Sequence, residues 1–360
     1  FMGMRLGESL SLILFGESHA TGVGVIVEGL QPGIPIDLKS IERDLERRKP
    51  GRKGLSQRSE SDIPRVLSGV HEGYSTGWPL VLFAENSDVR SSDYDFLPDH
   101  PRPGHADLVE QYRTGGKADP RGGGSHSGRL TWGLVAAGSL VIPILDSVGC
   151  SVFSHMAALG DDETDDLAVL LSTDISENMA RLNCMDPLAA DRFVDQIEHL
   201  RKEKDSLGSR VDVIVRGLPI GIGDPWFDGI EPALSKGLFG IPAVRAVEFG
   251  YGVKSSLMRG SEHNSVWESG ENNTPIQSEG GDGAIGGITT GSDIRIRVHF
   301  KPPSSIPTVQ NTLHLPSGEL RPLVVGGRHD PVLAPRATPV VQGVVRFLIA
   351  DLLLTKTRPF

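Results

Sequence analysis

The sequence predicts an α+β fold rich in loops, and three features predict it. Residues 293–300 alternate, with Ile294, Ile296, Val298 and Phe300 on one face and Arg295, Arg297 and His299 on the other, the period of a half-buried strand. Leu38, Ile41 and Leu45, and later Phe193, Ile197 and Leu200, recur instead at helical spacing. Finally, 44 glycines and 25 prolines in 360 residues exceed ordinary usage without any collagen-like period. Glycine lets backbone approach a ligand closely, so the excess points to an enzyme whose loops carry its site.

Taken in order, the apolar runs at 10–15 and 23–30 read as strands, followed by a Pro32-Gly33 turn. Asp37 is the expected N-cap of a helix closed by Arg47, Arg48 and Lys49, cations that suit the negative end of the helix dipole. Residues 50–62 are basic and Gly-containing, hence a loop. The stretch 98–129 is too rich in Gly, Pro, Arg and His to be one regular element. A helix is expected from near Arg129 through Val135, Ala136 and Ala137 to about Leu145. Beyond it, 150–159 reads as a strand, 161–166 as an acidic solvated turn, 187–204 as an amphipathic helix, and 211–218 and 243–249 as strands. Residues 255–283, rich in Ser, Gly, Asn and Glu, are expected to form a mobile loop of the kind that acts as a lid. A helix from Val340 to Leu354 ends the fold.

Residues 1–360 read as a single domain, although the length alone lies between one domain and two. Val25–Ile34 matches Val213–Ile222 at seven of ten positions. Either chance likeness of strand-plus-turn composition or a duplicated strand–turn–helix unit explains this echo.

The formal net charge of −10 and the 6% aromatic content argue against a nucleic-acid partner. Cys150 and Cys184 are the only cysteines, with no CxxC, so a reducing compartment is expected rather than a disulfide framework. No basic segment followed by a long apolar one opens the chain, so no secretory leader is expected. The apolar stretch Val344 to Leu354 is broken by Arg346 and Asp351, so no membrane span is expected there. A cytoplasmic enzyme fits these features.

Four segments could carry chemistry. Phe15-Gly16-Glu17-Ser18-His19 directly follows a strand, where ligands commonly sit, and His is easily poised to deliver a proton; a structural histidine bonding a loop carbonyl fits it equally. In Arg102-Pro103-Gly104-His105-Ala106-Asp107, Pro and Gly fix the backbone from which Arg and His point. His100 and His105 lack a third ligand at a characteristic spacing, so no metal is expected. Arg121-Gly122-Gly123-Gly124-Ser125-His126-Ser127-Gly128-Arg129 leads into a helix, and exposed glycine N–H groups there suit an anion. The Gly-Lys-Ser/Thr of a nucleotide P-loop and the Gly spacing of a dinucleotide fingerprint are missing, so a surface loop competes with the anion site. Last come Lys301-Pro302-Pro303-Ser304-Ser305, with a cation and two hydroxyls for a phosphate, and Gly326-Gly327-Arg328-His329-Asp330-Pro331, with an anion clamp and a base. An ordinary surface ion pair is the bland alternative for the last.

These four segments, in this order and with these separations, resemble the chorismate synthase family from Gly16-Glu17-Ser18-His19 to the helix after Arg328-His329-Asp330-Pro331. Further matches are Arg47-Arg48 with Pro50-Gly51, Ser68-Gly69-Val70, Glu85-Asn86, Asp205-Ser206, Val247-Glu248-Phe249-Gly250 and Gly286-Gly287-Ile288. The resemblance implies a β-α-β sandwich, a helical layer between two sheets, assembled as a homotetramer. It implies a carbon–oxygen lyase that eliminates phosphate from 5-enolpyruvylshikimate 3-phosphate (EPSP) to give chorismate, using reduced FMN with no net redox change. Carried over by position, His19 looks like the acid that assists phosphate departure, and His105 like the imidazole that protonates or stabilises the reduced flavin. Asp330 looks like the carboxylate that helps remove the carbon 6 proton. Ser18, Arg48, Arg102, Arg129 and Arg328 correspond to substrate-holding positions, where the planar guanidinium fork meets carboxylate and phosphate. Ser125, His126, Ser127, Pro242, Ala243, Gly286, Lys301, Pro302, Pro303, Ser304, Ser305 and Arg328 correspond to FMN contacts.

The chain departs from the common pattern in places. Gly124-Ser125-His126-Ser127-Gly128-Arg129-Leu130-Thr131 stands where common members read Gly-Arg-Ser-Ser-Ala-Arg-Glu-Thr, Pro242-Ala243 replaces Asn-Ala, and Gln342 replaces a Glu. The basic loop after Arg48 is one residue shorter, leaving Arg52, Lys53 and Arg58 as alternatives for its second anion contact. These changes motivate a competing expectation, a non-catalytic flavin- or anion-binding paralogue. No nicotinamide fingerprint is visible, so the expected partner is an external flavin reductase rather than intrinsic reduction by NADPH.

Overall fold

The computed structural model describes residues 3–49, 62–87, 91–171, 176–270, 275–277, 282–327 and 329–356. Two antiparallel five-stranded sheets enclose a layer of helices. The first sheet runs Arg5–Gly7, Ser11–Gly16, Gly22–Glu28, Leu80–Glu85, Arg65–Ser68 across its width. The second runs Val244–Phe249, Ile294–Phe300, Ser209–Arg216, Ser151–Leu159, Asp162–Glu163. Helix Thr131–Leu140 packs on the first sheet, helix Ala334–Lys356 packs on the second, and the two pack on each other, with Leu38–Arg48 and Ile230–Phe239 completing the layer. This is the expected β-α-β sandwich.

The helices meet at backbone distance. A Cβ built on Gly138 would lie 2.2 Å from the Gly343 Cα, so neither position admits a side chain without separating the layer. Helix Thr131–Leu140 is buried on nearly every side, which is why its sequence is apolar all round rather than striped. By length and composition the stretches Gly128–Asp146 and Ala334–Thr355 could cross a bilayer, yet 72% and 83% of their apolar windows are buried inside this fold. One polar cluster sits in the layer: Asp44 accepts from Ser139 at 2.8 Å and Arg346 at 2.6 Å and pairs with Arg47. Burial pushes the Asp44 carboxyl up, but the two arginines outweigh it and hold it below its usual range.

Most expected elements lie where the pattern puts them. Asp37 caps helix Leu38–Arg48 by accepting the Lys39 N–H, and Ile294–Phe300 alternates buried and half-buried along its length. The last helix starts at Ala334, six residues before the expected Val340. Prolines at 335 and 339 mask its onset; Pro335 is harmless in a first turn, whereas Pro339 lacks the N–H that would reach the Pro335 carbonyl. The Asn183 amide donates to that carbonyl instead, at 2.6 Å. The strands Arg65–Ser68 and Leu80–Glu85, the helix Ile230–Phe239 and the hairpin Gln310–His314 with Glu319–Leu323 were not anticipated. The acidic segment 161–166 holds a short edge strand, with Asp162 bonded to Arg192. Within 255–283, the described part carries a helical turn Gly260–His263 and a hairpin of Trp267–Ser269 with Pro275–Gln277. The two echoing segments each supply the third strand of their five-stranded sheet. Each strand is followed directly by a glycine with positive φ, Gly29 or Gly217, and then by a second at Gly33 or Gly221.

Candidate active site

Strand Ser11–Gly16 ends in a turn that carries Ser18 and His19. His19 Nδ1 lies 3.0 Å from Ser18 Oγ, and its ring meets Tyr94 edge-on at 5.5 Å between centroids. On another side the ring abuts Gly122, where a Cβ would sit 2.5 Å from His19 Cε1. Gly122 therefore has to be glycine for a steric reason as well as for its φ of +68°. The Ser18 N–H donates to the Gly124 carbonyl at 3.3 Å, tying the His19 turn to the glycine loop.

Arg102 is the hub of the second segment, and only 4% of its side chain is exposed. It donates to Asp107 through Nε at 2.8 Å and Nη2 at 2.7 Å, and through Nη1 to Ser305 Oγ at 3.1 Å. Nη2 also lies 3.1 Å from His105 Nδ1 and 3.3 Å from the Gly122 carbonyl, and the guanidinium stacks over Tyr94. His105 Nδ1 lies 2.6 Å from Asp107 Oδ1. Burial pushes the Asp107 carboxyl up, but hydrogen bonds from Arg102 and His105 reverse this and hold it well below the usual carboxylate range. The Asp107 carboxylate, 2.6 Å from Nδ1, fixes the orientation of the His105 ring.

A cavity of about 180 Å³ opens between these segments, walled by Glu17, His105, Asp107, Glu110 and residues 122–126. His126 stands at its rim with Nε2 2.9 Å from Glu110. Asp119 is held low chiefly by hydrogen bonds from Arg121. Lys301 Nζ donates to the Gly104 carbonyl and meets Ser304 Oγ, both at 2.6 Å, so the 301–305 segment lies along the Arg102–His105 turn. Burial, with Arg245 nearby, lowers the Lys301 ammonium pKa. Ala243, at φ +73°, accepts the Lys301 N–H, placing Pro242-Ala243 at the root of the same segment.

Asp330 accepts from Arg336 Nη1 at 2.7 Å, while Arg336 Nε donates to the Arg48 carbonyl at 3.1 Å. Gly327 faces Asp93, the neighbour of Tyr94, and residues 206–207 bond both the Pro303 and Pro331 carbonyls. Arg48 and Arg129, like Arg102, are paired with a carboxylate of their own chain. Both are buried and share the Asp62 carboxylate, Arg48 at 3.0 Å to Oδ2 and Arg129 through Oδ1. Arg48 also donates to Thr131 and the Gly128 and Arg129 carbonyls, and Arg129 to Asn86 and the Glu85 carbonyl. Gly286 turns a hairpin of Ala284–Ile285 with Ile288–Thr289, whose Gly287 packs against Asp224 and Gly229. Arg328 and the basic residues Arg52, Lys53 and Arg58 lie outside the described residues. Among the described residues no group of three His, Cys, Asp or Glu could hold a metal.

Sequence reasoning missed Asp62, Tyr94, Asp107 as the partner of His105, and Arg336. Asp107, two residues past His105, was the one with a readable signal. Gln342 is a core residue: it accepts from Arg47 at 2.6 Å and donates to the Val152 carbonyl at 2.6 Å, a donation a glutamate could not make.

Comparison with known proteins bears on this arrangement. A family model described as chorismate synthase matches residues 10–354. Chorismate synthases of Pyrococcus abyssi and Methanosarcina mazei are 43% and 40% identical, over 97% and 98% of this chain and 97% and 96% of their own lengths. That of Aeropyrum pernix is 43% identical over 98% of this chain and 93% of its own. A crystal structure of chorismate synthase superposes with a TM-score of 0.73, covering 97% of this chain and 93% of that one at 24% identity.

Proposed function

The chain belongs to the chorismate synthase family, and from that premise we propose how its residues perform the reaction. The activity is that of a carbon–oxygen lyase of aromatic amino-acid biosynthesis, which removes phosphate from EPSP to give chorismate. In the proposed site, His19 delivers a proton to the departing phosphate while Ser18 Oγ engages its Nδ1. His105, oriented by Asp107, protonates or stabilises the reduced flavin. Asp330, held by Arg336, assists removal of the carbon 6 proton. Ser18, Arg48, Arg102, Arg129 and Arg328 hold the polyanionic substrate, with Arg48 and Arg129 gathered around Asp62.

The residues present suit FMN. Lys301 with the hydroxyls of Ser304 and Ser305 is a donor set for its phosphate, and Gly104, at φ +70°, lets backbone approach that group. Ser125, His126, Ser127, Pro242, Ala243, Gly286, Pro302, Pro303 and Arg328 complete the proposed contacts. Reduced FMN, when bound, lends electron density to the substrate as its carbon–oxygen bond breaks and recovers it as hydrogen is lost. We further infer a cytoplasmic homotetramer served by an external flavin reductase.

The convergence of the His19, His105 and 301–305 segments around Arg102 and Tyr94 is the observation that carries this reading. Anaerobic assay with EPSP and reduced FMN tests it: phosphate and chorismate should appear together. His105→Ala and Asp330→Ala should each lower turnover far more than FMN binding, and equal loss of both would contradict the roles. FMN-dependent spectral change without any turnover would instead indicate the non-catalytic flavin-binding paralogue.

A further inference from the structure

We propose that Asn86 is the positioning residue for His19, setting the plane of the turn from which that imidazole projects. The inference rests on the proposed role of His19. Asn86 directly follows strand Leu80–Glu85 and grips the turn through four hydrogen bonds. Its Nδ2 donates to the carbonyls of Glu17 at 2.9 Å and Ala20 at 2.8 Å, and more weakly to that of Ser18 at 3.4 Å. Its backbone N–H donates to the Thr21 carbonyl at 3.0 Å. The carbonyls on both sides of His19 are therefore held by one amide.

The amide orientation is itself determined. Oδ1 accepts from Arg129 Nε at 2.9 Å, and only a donor can face three carbonyls, so the opposite rotamer would oppose like groups on both sides. Arg129 is fixed in turn by Asp62, which Arg48 shares, and the Arg48 carbonyl is bonded by Arg336, the partner of Asp330. One hydrogen-bonded chain thus runs from Asp330 to the His19 turn, and Asn86 is its last member. This gives Arg48 and Arg129 a use consistent with their burial.

A double-mutant cycle tests the proposal. Asn86→Asp keeps the shape and removes the Nδ2 donors; misplacing a proton donor by about 1 Å predicts roughly 100-fold lower kcat. The Kd for reduced FMN should hold, whereas KM for EPSP rises with the loss of turnover because Ser18 rides on the same turn. In the His19→Ala background the same change should cost less than about threefold, because coupled residues are non-additive. Equal loss in both backgrounds overturns the inference while leaving the His19 role standing. Full turnover by His19→Ala overturns both. Should Asn86→Asp not fold, Asn86→Ser serves in the same cycle. Should His19→Ala be too slow to time, the histidine ring resonance absent from its ¹³C spectrum identifies His19. That resonance must shift in the folded Asn86 variant, and an unmoved signal overturns the proposal.

Discussion

Replacing Gly122 by alanine moves His19 without touching it chemically. The new Cβ would lie 2.5 Å from His19 Cε1, 2.7 Å from Nδ1 and 3.0 Å from Ser18 Oγ. Ordinary carbon contacts need about 3.5 Å, so the ring has to retreat by about 1 Å. Tyr94, edge-on at 5.5 Å, limits where it can go. A displacement of that size predicts about a 100-fold fall in kcat, near 3 kcal/mol of transition-state stabilisation. The φ of +68° adds about 1–2 kcal/mol of backbone strain, read in urea unfolding. Gly33→Ala is the control: its φ is +86° but nothing lies within 4 Å of the new Cβ, so it should lose stability and keep full turnover. Anaerobic phosphate release with reduced FMN measures both variants. A folded Gly122→Ala enzyme within threefold of the parent would refute the placement of His19 against Gly122.

Three further outcomes follow from the core. Gly138→Ala, which drives a methyl into the Gly343 backbone, should cost about 3 kcal/mol or more in urea unfolding; a loss under about 1 kcal/mol would mean the crossing relaxes freely. Asp62→Ala removes the carboxylate shared by two buried guanidiniums and should cost about 3–5 kcal/mol, with Asp62→Asn less severe, by the same assay. His155 is fully buried, and burial, with Arg210 nearby, pushes its pKa down to about 4 from 6.5. The unfolded chain therefore binds a proton between those values that the folded one refuses. The contribution of neutral His155 is complete above pH 6.5 and is lost as pH falls toward 4, by roughly 3 kcal/mol. Unfolding free energies of the parent and His155→Gln should converge over that window as pH drops; parallel curves would contradict the assignment.

Much of the sandwich was legible because its elements obey simple periods. Asp37 with Leu38, Ile41 and Leu45, and the alternation through Ile294–Phe300, announce themselves locally. Leu80–Glu85 is an unbroken apolar run as far as Ala84, so the alternation of its burial, with Leu80, Leu82 and Ala84 fully buried, has no counterpart in the order of residue types. The onset of the last helix was hidden because the group that rescues its proline-orphaned carbonyl, Asn183, lies far away in sequence. In the site, the segments bearing His19, His105 and Lys301 could be read from residue type and order. The sharing of Asp62 by Arg48 and Arg129 could not, because burial and long-range pairing leave no local signal. A motif shows that an arginine is present but not whether it faces a ligand or a carboxylate of its own chain.

The most direct measurement is the visible spectrum of enzyme-bound reduced FMN when EPSP is added without oxygen. A transient change that decays as phosphate and chorismate are released in equal amounts, leaving the flavin reduced, is the expected result. A flavin spectrum that never responds in a folded, ligand-saturated enzyme, or flavin left oxidised in proportion to the product formed, would contradict an elimination carried by this site with no net redox change.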